Sequence, residues 1–86
     1  MATRAKGKVS RIHPLDGVCK ISLEGIPADA TPLEGVFRLE QDHDNYNALY
    51  SLALAAAVNR YDLDIGTYEE IVPHHHGKVE FMLVNW

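Results

Sequence analysis

The chain has 86 residues, of which 47% are hydrophobic and 23% are charged. This length suffices for one domain, so we expect a single small domain over residues 1–86, with residues 1–7 as a candidate disordered tail. The 8 basic and 12 acidic residues give a net charge of −4, which disfavours nucleic acid as a partner because phosphate binding needs clustered Lys and Arg. A single cysteine, Cys19, excludes an internal disulfide and every cysteine-rich zinc module.

The sequence has no pattern typical of a secretory signal or of a membrane span. No apolar stretch follows the basic N-terminus. The longest apolar run, Leu52 to Val58, is far shorter than the roughly 20 residues that cross a bilayer. We therefore expect a cytoplasmic protein with a reduced thiol and no membrane partner.

The first strand is predicted from Lys8 to His13, with an irregular alternation of apolar residues. Val9 and Ile12 fall on opposite parities, which predicts a β-bulge near Ser10. Residues 13–17, with a proline and an Asp-Gly pair, then predict a turn.

Two further strands are predicted before the helix, over Val18–Glu24 and Gly35–Glu40, separated by a loop that contains two prolines. Their alternation predicts one core-facing side and one solvated side. The side chains expected to face the core are Cys19, Ile21, Leu23, Phe37 and Leu39.

The strongest helix signal covers Tyr46 to Asn59, which contains no Gly or Pro and is rich in Ala and Leu. Asp42, Asp44 and Asn45 precede it and are predicted to cap its N-terminus. Because apolar residues occupy nearly every side of this helix, we expect it to be buried on nearly all sides.

Two strands are predicted after the helix, over Tyr61–Ile65 and Lys78–Trp86, joined by a long connection from Gly66 to Gly77. The second half of the last strand is apolar on both sides. The side chains expected to face the core are Tyr61, Leu63, Ile65, Val79, Phe81 and Leu83.

The element order β-β-β-α-β-β predicts a mainly β fold with one helix, an OB-like five-stranded barrel. The alternative is an open antiparallel α+β sheet with the helix on one face. The Ala-rich helix Asn47–Arg60, followed by the alternating strand Tyr61–Ile65, resembles the ring-forming, sugar-binding OB-type subunits of bacterial toxins. The resemblance implies the fold and a tendency to assemble, and it assigns no binding residue.

Three consecutive histidines, His74, His75 and His76, are weak candidates for a metal site. Adjacent residues of an extended chain point to opposite sides, so we expect a solvated loop there and no metal or cofactor. Alternating strand directions predict that residues 42–44 lie at the same end of the barrel as residues 13–16, and that His74–His76 lie towards the other end.

No catalytic constellation is present, which predicts a protein that is not an enzyme. Cys19 occupies an inward position and is expected to be an inert buried thiol. We therefore expect a non-catalytic binding or assembly module for a glycan or another protein. The alternative is an OB-type domain that binds single-stranded nucleic acid, supported by the basic residues Arg4, Lys6, Lys8 and Arg11.

Apolar residues beyond those that a barrel core requires predict a homo-oligomer, with a dimer favoured over a ring. They lie on the helix and on the last strand. The residues expected to form this self-association surface are Tyr50, Leu52, Leu54, Met82, Val84 and Trp86.

Overall fold

Five strands form one sheet that closes on itself in a ring, in a computed structural model that describes residues 2–85. The strands are β1 (Arg4–Leu15), β2 (Val18–Glu24), β3 (Val36–Glu40), β4 (Asp62–Thr67) and β5 (Gly77–Leu83). One α-helix, α1 (Tyr46–Asn59), lies between β3 and β4, and two short 3-10 helices, Ala28–Ala30 and Leu33–Gly35, lie between β2 and β3. The fold is mainly β with one helix, as predicted.

The strands lie in the spatial order β1-β2-β3-β5-β4, and β4 pairs with β1 to close the ring. This order differs from a simple succession along the chain because β5 lies between β3 and β4. The β3–β5 pair is parallel and joins only Phe37 with Gly77 and Arg38 with Lys78, whereas the other pairs are antiparallel. The alternative of an open sheet is wrong, because β1 has a partner on each side.

Strand β1 is longer than the sequence pattern indicates. Residues 4–7, assigned to the candidate tail, lie in β1 and pair with β4. The bulge predicted near Ser10 is confirmed, because the register between β1 and β2 shifts between Val9 and Arg11. Beyond Lys8, β1 leaves β4 and continues with β2 alone to the turn at Gly17, which has a φ of 79°.

Helix α1 has the predicted limits, but its N-terminus is stabilised differently. Asn45 is the N-cap residue and makes no side-chain cap hydrogen bond, and there is no acidic residue in the first turn. The prediction that Asp42 and Asp44 cap the helix is therefore wrong. Instead, the backbone N–H of Asn45 donates to Nδ1 of His43 at 3.0 Å.

The C-terminus of α1 is closed by Arg60, which has left-handed backbone angles (φ 57°, ψ 36°) where glycine is usual. Its guanidinium donates to the Val9 carbonyl at 3.3 Å and to Oε1 of Glu24 at 2.7 Å. The first of these bonds satisfies a backbone acceptor beside the β1 bulge. Arg60 thus ties the end of the helix to the point where β1 leaves β4.

Only one face of α1 contacts the sheet, through Leu49, Ala53 and Ala56. Leu54 is 40% exposed and Val58 is 79% exposed, so the expectation of burial on nearly all sides is wrong. The physical reason is that a single helix packed on a closed sheet can bury one stripe only. Within residues 2–85, no helix combines the length and apolar character needed to cross a bilayer.

The core consists of the inner faces of the strands together with the buried stripe of α1. The inward positions predicted for β2 and β3 are confirmed, as are those at Leu63 and Ile65. Tyr61 precedes β4 and is exposed, contrary to the prediction. The largest fully buried side chains are Phe37, Ile21, Leu39, Leu63, Ile65, Val79 and Cys19.

A second bulge, in β5, changes which side chains of this strand face the core. Gly66 pairs with Phe81 and the next residue of β4, Thr67, pairs with Val79, so Glu80 is an extra residue in β5. The alternation therefore shifts after Val79, and Met82 becomes buried. The predictions that Phe81 and Leu83 face the core are wrong, since they are 39% and 40% exposed.

On the outer face, the Phe81 ring covers Gly66, and a Cβ atom on this glycine would overlap the ring. The Arg4 guanidinium lies 5.5 Å from the ring centroid. Asp64 holds this guanidinium through hydrogen bonds of 3.2 and 2.6 Å from Nε and Nη2. Side chains from β1, β4 and β5 are thus stacked across the junction that closes the ring.

We predict that Gly66→Ala lowers the free energy of unfolding by about 1–3 kcal/mol, because the new methyl group displaces the Phe81 ring. In a Phe81→Ala background, the same substitution should cost no more than about 0.5 kcal/mol. Urea unfolding of the four proteins of this cycle measures both effects. Equal costs in the two backgrounds would show that Phe81 does not pack on Gly66.

Candidate functional site

A groove of about 530 Å³ lies beside β5, between the connection from β3 to α1 and the connection from β4 to β5. Acidic, aromatic and histidine side chains face this groove together. Its lining residues are Glu40, Asp42, His43, Asp44, Tyr68, Glu69, Glu70, Val72, His75, His76, Gly77, Lys78 and Val79.

His43 anchors one wall of the groove to β5. Its Nε2 lies 2.8 Å from the backbone carbonyl of Glu80, the extra residue of the β5 bulge. Because a carbonyl can only accept, Nε2 carries the proton, and Nδ1 accepts from the Asn45 N–H. These two bonds assign the neutral Nε2–H tautomer and connect the bulge, the wall and the start of α1.

The structure brings together residues that are predicted from the sequence to lie at opposite ends of the barrel. His43, His75 and His76 line the same groove, so the predicted separation of residues 42–44 from His74–His76 is wrong. β3 and β5 run parallel and pair at two positions only. The chain after β3 then folds back along β5, as the bond between His43 and Glu80 shows.

The opposite wall is held by backbone contacts. The Tyr68 N–H donates to the Lys78 carbonyl at 3.2 Å, and the Ile71 N–H donates to the Ala2 carbonyl at 2.7 Å. The buried Thr67 hydroxyl donates to the Glu69 carbonyl at 2.6 Å. A groove with both walls tied to the sheet is preorganised, which lowers the entropy lost when a ligand binds.

The three consecutive histidines have three different environments. His76 is hydrogen-bonded to Oε1 of Glu34 at 2.9 Å. The His75 carbonyl accepts from the Leu33 N–H at 2.9 Å, and the side chains of His74 and His75 are exposed. Across residues 2–85, no group of three or more His, Cys, Asp or Glu side chains has an arrangement that could hold a metal ion.

The groove is strongly acidic. Five of its lining residues are carboxylates, and of these Glu40 is paired with Arg38, whose Nε lies 3.1 Å from Glu40 Oε2. The other four have no ion-pair partner within residues 2–85: Asp42, Asp44, Glu69 and Glu70. Among the described residues that line the groove, Lys78 alone is a lysine or an arginine. The field inside the groove therefore attracts cations.

An exposed aromatic ring lies among these carboxylates. Tyr68 is 54% exposed, and its ring centroid lies 6.3 Å from that of His43 at an interplanar angle of 42°. Its position therefore depends partly on the wall that His43 anchors. An exposed tyrosine ring offers a flat apolar surface and a hydroxyl to a ligand.

Cys19 lies outside this site and is fully buried in the core. Burial raises the pKa of its thiol above the ordinary value, and a backbone hydrogen bond at His13 opposes this rise with a smaller effect. The thiol therefore stays protonated at neutral pH, as expected for an inert core cysteine.

Tyr68, Glu69 and Glu70 were not predicted as site residues. No local sequence pattern marks them, because they meet residues 42–44 only through the position of β5 between β3 and β4. Comparisons with protein-family models, with curated proteins and with solved structures found no match to this chain.

We predict that His43→Ala lowers the free energy of unfolding by about 1–3 kcal/mol, because the bonds to the Glu80 carbonyl and from the Asn45 N–H are both lost. His74→Ala, at an exposed histidine of the connection from β4 to β5, should change it by less than about 0.5 kcal/mol. Nitrogen chemical shifts of the His43 ring provide a direct check. A ring found as the Nδ1–H tautomer would contradict the assignment.

Proposed function

We propose that this protein is a non-catalytic binding module of the OB type, and that its acidic groove binds a basic segment of another protein. The observation that carries the proposal is the preorganised groove, in which four carboxylates have no basic partner within the described residues. A Lys- or Arg-rich segment would supply the missing charges.

The strand arrangement supports the OB-type assignment. The order β1-β2-β3-β5-β4, with β4 returning to β1 and the helix between β3 and β4, is compatible with a partly open five-stranded barrel. Folds of this kind bind ligands through loops at the rim of the sheet, and here the loops after β3 and β4 form the groove.

The chemistry of the groove favours binding over catalysis. Both ring nitrogens of His43 are engaged in structural hydrogen bonds, and the ring of His76 is bonded to Glu34. Tyr68 can stack on the guanidinium of an arginine or on the stem of a lysine, at about 0.5–1 kcal/mol for an exposed site. Carboxylates and one aromatic ring therefore match a basic peptide better than a neutral glycan.

The test is a titration of the protein with a short Lys/Arg-rich peptide at two salt concentrations. We expect binding that weakens as salt rises. Asp42→Asn/Asp44→Asn and Glu69→Gln/Glu70→Gln, one double variant for each wall, should each weaken it about tenfold.

The matched control is Asp16→Asn/Asp29→Asn, which makes the same charge change at two exposed carboxylates outside the groove. It should alter the affinity by no more than about twofold. An equal loss in this control would show that the peptide responds to net charge and not to the groove. If a neutral oligosaccharide bound at Tyr68 and its affinity did not depend on salt, the groove would be a glycan site and the proposal of a basic partner would be wrong.

The alternative, single-stranded nucleic acid, has less support from the N-terminal cations. Arg4 is paired with Asp64, and Lys8 is paired with Asp62 at 2.9 Å. The hydrogen bond and charge of Lys8 lower the pKa of the Asp62 carboxyl, because both favour its ionised form. Two of the four basic residues that suggested a phosphate contact are thus neutralised within the fold.

We also propose self-association, supported by two exposed apolar groups. One is on α1, with Leu54 and Val58, and the other is on β5, with Phe81 and Leu83. The residues available for self-association therefore differ from those predicted from the sequence. Met82 is 9% exposed and belongs to the core, whereas Tyr50, Leu52 and Val84 are partly buried against it, and Trp86 lies outside the described residues.

Light scattering behind a sizing column should give a mass near twice the 9.6 kDa of one chain at micromolar concentration. Leu54→Lys/Val58→Lys places two charges on the exposed face of α1 and should yield the monomer. Ala48→Lys/Ala55→Lys, at two other exposed positions of the helix, is the control for added charge. A monomeric parent protein would contradict the proposal.

A further inference from the structure

Three basic side chains and a histidine form a row across four neighbouring strands. His13 of β1 is the register partner of Lys20 in β2, which pairs with Arg38 in β3. Arg38 in turn pairs with Lys78 in β5. We call His13, Lys20, Arg38 and Lys78 the cross-strand row. At about 4.8 Å between strands, it extends over roughly 15 Å.

The row lies on the outer surface of the sheet. Cys19, Phe37 and Val79, chain neighbours of its members, are buried, so the alternation of side chains directs the row outwards. Like charges at directly opposite positions in adjacent strands destabilise a sheet. A chain with a net charge of −4 nevertheless places three cations side by side here.

The row is only partly neutralised by the protein itself. Glu40 approaches Arg38, but Nε of Arg38 is buried and forms no hydrogen bond of good geometry in the described part of the chain. Lys20 and Lys78 have no ion-pair partner among residues 2–85. The charges of Lys20 and Lys78 therefore have no ion-paired counterion in the described part of the chain.

A hollow of about 360 Å³ opens at the Arg38–Lys78 end of the row. The exposed residues His74 and His75 also line it, together with Leu33, Glu40 and His76. Ammonium, guanidinium and imidazole groups all donate hydrogen bonds, and together they fit a tetrahedral oxyanion. The hollow thus adds a concave donor site to the charge of the row.

We propose that the cross-strand row and this hollow form a binding site for a compact phosphate-bearing anion with more than one negative charge. The hollow shares Glu40, His75, His76 and Lys78 with the acidic groove, but Asp42, Asp44, Glu69 and Glu70 do not line it. The proposal does not rest on the basic-segment proposal. The geometry favours a compact anion over single-stranded nucleic acid because the outward positions of β2 and β3 hold no aromatic residue on which a base could stack. The outward positions of β2 and β3 hold Lys20, Ser22, Arg38 and Glu40.

The experiment titrates the nitrogen-15-labelled full chain with inorganic pyrophosphate at low salt. We expect shared amide shifts at Lys20, Arg38 and Lys78, with one affinity for all three. Lys20→Gln/Arg38→Gln should weaken binding about tenfold, as loss of two charge-assisted contacts requires. Lys6→Gln/Arg11→Gln removes the same charge at two exposed positions outside the row and should change the affinity by less than about twofold.

A gain-of-function variant keeps the proposal testable if loss of a cation disturbs folding. Glu40→Gln removes the carboxylate beside Arg38 and should strengthen pyrophosphate binding about threefold or more. Equal losses in the row variant and its control would overturn the site, as would unchanged affinity in Glu40→Gln. If an oligothymidylate bound at these amides more tightly than pyrophosphate, the proposal that the ligand is a compact anion would be wrong. Failure of the basic peptide to bind the groove leaves each of these outcomes unaffected.

Discussion

One hydrogen bond organises the functional side of this molecule, the bond from Nε2 of His43 to the Glu80 carbonyl. The β5 bulge inserts Glu80 into the strand, and His43 provides a donor for its carbonyl. The bond holds the chain after β3 against β5, and the other ring nitrogen receives the N–H at the start of α1. The groove wall, the helix entry and the carbonyl of the extra β5 residue therefore share one imidazole.

The sequence predicts those elements whose pattern has a single interpretation. Helix α1 has its predicted limits because no Gly or Pro interrupts it. The β1 bulge was predicted because Val9 and Ile12 conflict in parity. In β5 the pattern was ambiguous, because apolar residues occupy both sides of its second half. Either register would bury apolar side chains, so nothing in the sequence indicated that Phe81 lies outside and Met82 inside.

The site was harder to predict than the fold because it depends on which strands are neighbours. Consecutive polar residues such as residues 42–44 resemble helix caps, and the alternative role appears only when β5 lies beside them. The cross-strand row has no sequence signal, since its members are spread from residue 13 to residue 78 and meet only through register. A local pattern carries no information about such pairings.

The closure of the ring also has a consequence for the order of folding during synthesis. β1 is made first, yet its second partner, β4, begins only at Asp62, so its edge from Arg4 to Lys8 stays unpaired until most of the chain has been made. The β1–β2 hairpin and α1 need only local contacts and can form earlier. An unpaired edge strand is a site for contact with other chains. Nascent chains are therefore most prone to aggregation before β4 becomes available to close the ring.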